Sequence, residues 1–125
     1  MCIRIDSARN IGYITPQDEL SVERGKELVQ AFLEHEHFQP DMASVWDLSY
    51  VDVTDWDRSA MIAFGKWLTG FSQQRGKAQT VLIAPSDSTY GLARMLENWG
   101  DLDNYALEVV RTPEEADEWL RAQGF

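Results

Sequence analysis

In this chain of 125 residues, the side chains able to carry chemistry are few, and their spacing decides what each could do. Asp47 closes an apolar run, where an aspartyl nucleophile for phosphoryl transfer would stand. Position 49 is Ser49 instead of a second Asp, no acidic pair follows the first predicted strand, and the late position that would hold a Lys holds Arg111. Asp47 therefore reads as a hydrogen-bonded strand-end residue. Asp52, Asp55 and Asp57 offer oxygen ligands for a hard cation, but the Asp-x-Asp-x-Asp-Gly spacing and its terminal Glu are absent. They read as helix-capping and first-turn acids. His35 and His37 fall on a predicted helix at i and i+2, pointing to nearly opposite sides, whereas a zinc pair needs i and i+4. Cys2 is the only cysteine, which excludes an intrachain disulfide and a cysteine-based zinc site. It also lacks a base partner for a catalytic thiol. No Gly-rich phosphate loop and no Gly-x-Ser-x-Gly elbow is present. The residues thus predict no catalytic centre, no metal and no cofactor.

Binding is a better match to the composition. Five Trp, four Tyr and five Phe exceed what a few core contacts use. Phe64, Trp67 and Phe71 keep helical register and read as core. Trp56, Tyr90 and Trp99 read first as core and second as flanking a pocket or a dimer interface. Tyr90 and Arg94, at i and i+4, present a joint aromatic and cationic surface. Trp56, Asp87, Tyr90 and Arg94 are the candidate ligand- or partner-binding residues. Charge narrows the partners. With 21 acids against 11 Lys and Arg the net charge is −10, which disfavours nucleic acid and anionic membrane surfaces. The charge is uneven: residues 58–86 hold no acid but include Arg58, Lys66, Arg75 and Lys77, whereas residues 101–118 hold seven acids and only Arg111. An acidic chain with one basic region predicts docking onto a protein or onto a second copy, hence a homodimer. No apolar run approaches 18 residues, and no charged-then-apolar leader opens the chain. The expectation is a cytoplasmic protein.

The elements that must position these residues follow from periodicity. Residues 2–6 and 11–14 read as a hairpin around the turn at 7–10. Thr15 and Pro16 announce a helix whose inward stripe is Leu20, Leu28, Val29, Phe32 and Leu33, stopping before Pro40. Residues 44–48 form a strand and 49–55 a loop. A second helix runs from Trp56 to Gly76, with Ala60, Ala63, Phe64, Trp67, Leu68 and Phe71 in register. Residues 80–84 lack alternation and read as a strand buried on both faces. A helix capped within residues 86–88 carries Leu92, Ala93, Leu96 and Trp99, and Gly100 stops it. Residues 106–110 are the last strand, and Thr112, Pro113 and Glu115 start a terminal helix anchored by Ala116, Trp119 and Leu120. The order β-β-α-β-α-β-α-β-α predicts an α/β fold with a mixed, mostly parallel five-stranded sheet and helices packed on its faces. Loops 49–55, 85–88 and 111–112 then share the rim at the strands' carboxyl ends, where ligands of such sheets bind.

The run Tyr90-Gly91-Leu92-Ala93-Arg94-Met95, within residues 81–97, resembles the strand–loop–helix of small SpoIIAA-like proteins, grouped with the STAS domains of anti-sigma-factor-antagonist type. Residues 109–120, Arg4-Ile5-Asp6 and residues 45–49 are similar to other parts of that group. The resemblance implies one α/β domain over residues 1–125, without enzymatic activity, working through protein contacts. The group's switch is a Ser that follows Asp at the start of the second helix. Here Asp55 fits the Asp, while Trp56 and Asp57 stand where the serines would be; Thr54 and Ser59 lie outside the motif positions. The group is also compared with CRAL-TRIO lipid-binding domains, which implies an apolar pocket and a carrier or sensor of a small apolar or amphipathic ligand as the alternative function.

Overall fold

Apolar side chains on both faces of residues 80–84 require neighbours at both edges and cover on both sides. The computed structural model describes residues 2–53, 55–97 and 105–125 and satisfies that requirement. The chain runs β1 (Ile3–Asp6), β2 (Ile11–Ile14), β3 (Asp18–Leu20), α1 (Val22–Leu33), β4 (Ala43–Asp47), β5 (Val51–Val53) and α2 (Arg58–Thr69). It continues through α3 (Ser72–Arg75), β6 (Ala78–Ile83), α4 (Asp87–Glu97), β7 (Tyr105–Val110) and α5 (Pro113–Ala122). The main sheet has five strands in the order β1-β2-β4-β6-β7. β1 is antiparallel to β2 and every other pair is parallel. The mixed, mostly parallel architecture expected from the sequence is the one observed.

Alternation along each strand divides the core. Ile14, Trp46 and Leu82 face α1, α2 and α4, whereas Ile11, Ala43, Val45, Val81 and Ile83 face α5. Gly12 sits where the ring of Phe32 crosses β2: a Cβ there would come within 2.3 Å of Phe32 Cε1. No side chain fits without moving a buried aromatic.

Several boundaries depart from the sequence reading. Thr15 and Pro16 do not start α1. Residues 18–20 form β3, parallel to β5 in a second, two-stranded sheet, and the helix begins at Val22 with Ser21 as its cap. The pairing with residues 51–53, inside the segment expected to be a loop, outweighs a local cap signal because it satisfies several backbone groups at once. Leu20 stays buried, but on a strand. α1 ends at Leu33, well before Pro40, because the following turn brings Phe38 edge-on to Phe32, centroids 5.1 Å apart. The helix expected over residues 56–76 divides at Gly70 into α2 and α3, Trp56 precedes it, and Ala63 is exposed. Strand β6 and the Thr112 cap of α5 agree with expectation. Trp99, Gly100 and the acids at 101 and 103 lie outside the described residues.

Arg9 fastens α5 to the hairpin turn. Its guanidinium donates to Asp117 Oδ1 at 2.7 Å and to the Phe125 carbonyl at 3.0 Å. Arg121 donates to the other Asp117 oxygen at 2.7 Å. The hydrogen bonds from Arg121 and then Arg9 hold the Asp117 carboxyl below the usual carboxylate range. A lowered native pKa contributes stability in full above the ordinary carboxylate pKa, and that contribution is lost as pH falls from there through the lowered native value. Asp117→Asn is expected to lower the melting temperature at neutral pH and to flatten its acid-side decline, as read by thermal denaturation across pH. Gly12→Ala is expected to cost about 1–3 kcal/mol, measured by urea unfolding.

Candidate functional site

Parallel strands collect their carboxyl ends on one rim. Asp47 registers with Ile83, and Ile83 with Val110, so the loops after β4, β6 and β7 stand side by side. After β6, Ser86 Oγ accepts from the Thr89 N–H at 3.2 Å and opens α4. Arg111, the first residue after β7, reaches across. Its Nη1 donates to the Pro85 carbonyl and to Asp87 Oδ1, each at 3.0 Å, and its guanidinium lies 4.0 Å from the centroid of the Tyr90 ring. Arg94, one turn along α4, stands 6.0 Å from the same centroid. The result is an aromatic ring with two guanidinium groups within 6.0 Å of its centroid, the nearer of them paired with an acid. Asp87, Tyr90 and Arg94 come together as a ledge. Arg111 completes it and was not among the sequence candidates, although its place between a strand end and a helix cap on the same rim was the available signal. Tyr50, on the loop after β4, adds a 64% exposed aromatic to the rim; nothing in its sequence context marked it.

Trp56 belongs elsewhere. Its indole N–H donates to the Leu20 carbonyl at 2.8 Å, its ring meets Phe64 edge-on at 5.0 Å, and it packs over Gly25 of α1. It lines an interior cavity of 100 Å³ between the sheet and α1, α2 and α4, together with Phe32, Trp46, Phe64, Leu68 and Leu82. Ser44, Thr80 and Arg75 are the polar side chains on the sheet side of that cavity. Arg75, counted in the sequence among the cations of the basic region, thus turns inward. Tyr90 is not part of the cavity wall, and Trp99 lies outside the described residues.

On the opposite sheet face a larger groove of 510 Å³ runs beside α5, lined by Arg4, Tyr13, Val45, Asp47, Pro113 and Asp117 among others. Arg4 stacks over Tyr13 at 4.3 Å. Asp47 Oδ1 accepts from the Ser49 N–H at 3.0 Å and from the Ser49 hydroxyl, so it is the hydrogen-bonded strand-end residue of the sequence reading. His35 and His37 are not on a helix: they follow α1, and the His37 N–H donates to His35 Nδ1 at 3.1 Å. Asp57 caps α2 through the Ala60 N–H at 2.8 Å. Among the described residues no group of three or more His, Cys, Asp or Glu converges on a point where a metal would sit, and no helix is long and apolar enough to cross a membrane.

The chain combines a five-stranded mixed sheet with an antiparallel edge hairpin, helices on both faces and a polar rim at the strand ends. No family model matches the chain, and no curated protein matches it. Among solved structures, the anti-sigma factor antagonist SpoIIAA in its unphosphorylated form is similar, at TM-score 0.54 and 17% identity over 98% of this chain and 97% of that one. The chain has a SpoIIAA-like fold, as the sequence resemblance implied.

Arg111 holds the ledge through a planar fork that both stacks and bridges. Lys keeps the charge but loses that geometry. Arg111→Lys is expected to destabilise the fold by about 1 kcal/mol in denaturant unfolding, with the loss concentrated in faster hydrogen exchange at the α4 N-terminal amides.

Proposed function

We propose that this protein is a non-enzymatic STAS-like module that works by protein–protein contact through the Asp87–Tyr90–Arg94–Arg111 ledge, and that a second copy of the chain is one such partner. The observation that carries the reading is the stack of Arg111 on Tyr90 at 4.0 Å, an aromatic and arginine surface of the kind concentrated in interfaces. The similar SpoIIAA is by its name an antagonist of an anti-sigma factor, which makes a protein the natural class of partner. Trp56 packs and Asp57 caps α2, so neither of the positions that resemble the switch serines offers a hydroxyl. Self-association is supported by charge: Glu114, Glu115 and Glu118 are exposed on α5, and Arg94 is exposed on α4. α4 and α5 cover opposite sheet faces. Attraction between them is head-to-tail, not a closed two-fold contact.

Sedimentation equilibrium over protein concentration and salt tests this. The weight-average mass is expected to rise with concentration at low salt, fall toward the monomer as salt screens the contact, and fall in Tyr90→Ala. A monomer mass at every concentration and salt would overturn self-association. A second reading, a carrier or sensor of a small ligand, is favoured by the interior cavity. Its 100 Å³ lies below the range of about 300–1,000 Å³ typical of ligand pockets, which restricts the occupant to a small molecule instead of a lipid.

A further inference from the structure

The interior cavity contains more polarity than packing requires. Ser44 and Thr80 register opposite each other on β4 and β6, are 1% and 2% exposed, and hold their hydroxyls 3.1 Å apart. Arg75 Nη2 donates to Thr80 Oγ1 at 3.2 Å. Two hydroxyls carry two protons, and the bond between them uses one. Whichever hydroxyl donates, the proton of the other has no acceptor among the described residues. A buried donor left this way is costly, so the site asks for an acceptor from outside the fold. With a guanidinium beside it, an anionic acceptor is favoured over a neutral one.

Apart from Thr89 the remaining wall is apolar, with Phe32, Trp46, Phe64, Leu68 and Leu82 among its side chains. An occupant must therefore join one anionic, hydrogen-bond-accepting end to a hydrocarbon end. Size sets the length. The cavity measures 100 Å³, and an apolar hole of about 150 Å³ takes a benzene molecule. We propose that this cavity is a binding site for a short-chain carboxylate of about four to six non-hydrogen atoms. The carboxylate accepts from the Ser44–Thr80 hydroxyl pair beside Arg75, and the alkyl group lies against Trp46 and Leu82. This rests on the small-ligand reading and is independent of the rim.

Isobutyrate is the probe, titrated into the full chain and followed by calorimetry and by the melting temperature. Saturable binding is expected, with a melting temperature that rises with ligand by mass action. Isobutylamine, which inverts the charge, and octanoate, which is too long, are expected to bind at least about tenfold more weakly. The double variant Ser44→Ala/Thr80→Val, near-isosteric at both positions and checked for a cooperative melt, is expected to weaken isobutyrate about tenfold. No saturable binding up to tens of millimolar, the result of a cavity filled by water only, overturns the proposal. So does equal affinity for isobutylamine, a comparison that needs no variant, or indifference to both substitutions. The titration is run at high salt, where the docking contact is screened, so failure here is separable from failure of the docking reading.

Discussion

Two-sided burial of the β4–β6 pair is the constraint from which the architecture follows. Val45, Val81 and Ile83 need cover on one side, and Trp46 and Leu82 need it on the other. Parallel strands leave long crossovers to supply that cover, so α2 and α4 pack on one face while α5 closes the other. The same parallelism gathers the strand ends on one rim, and the ledge of Tyr90 and Arg111 is a direct consequence. It exists because β6 and β7 finish in register, Ile83 opposite Val110, which puts Arg111 within reach of the first turn of α4.

The interior cavity has a related origin. In the middle of the sheet the positions facing α1, α2 and α4 carry Ser44 and Thr80, both small and polar, under a layer of Phe and Trp side chains that cannot collapse onto them. Interiors are packed densely enough that such a gap demands a reason. Trp56 bridges the two features without joining them. Its bond to the Leu20 carbonyl ties the head of α2 to the small β3–β5 sheet, which commits that part of the rim to structure. Asp57 is likewise occupied as the α2 cap. The open chemistry of the rim therefore lies around α4, and Arg9 and Asp117 secure the remaining helix from the other face.

Much of this was legible in the chain itself. The unbroken apolar run at 80–84, the Thr112-Pro113 cap and the register of Leu28, Val29, Phe32 and Leu33 are local signals, and each specifies an element without help from distant residues. The pairing of Asp87, Tyr90 and Arg94 follows from helical spacing alone. The errors share a cause. Thr15-Pro16 is a sound helix start until residues 51–53 arrive to pair with 18–20. Gly70 looks tolerable inside a helix until Phe71 must turn onto the core. Trp56 looks like a rim aromatic until Gly25 opens a slot for it.

The chain alone determined the order of the main-sheet strands and the parallel central sheet, because periodicity and capping act within a few residues of each other. Tertiary contact decided which aromatics face the rim and which the interior, that Arg111 completes the ledge, and that Arg75 turns toward Thr80. Those outcomes depend on residues brought together from separate strands and helices, and no spacing rule along one segment contains them.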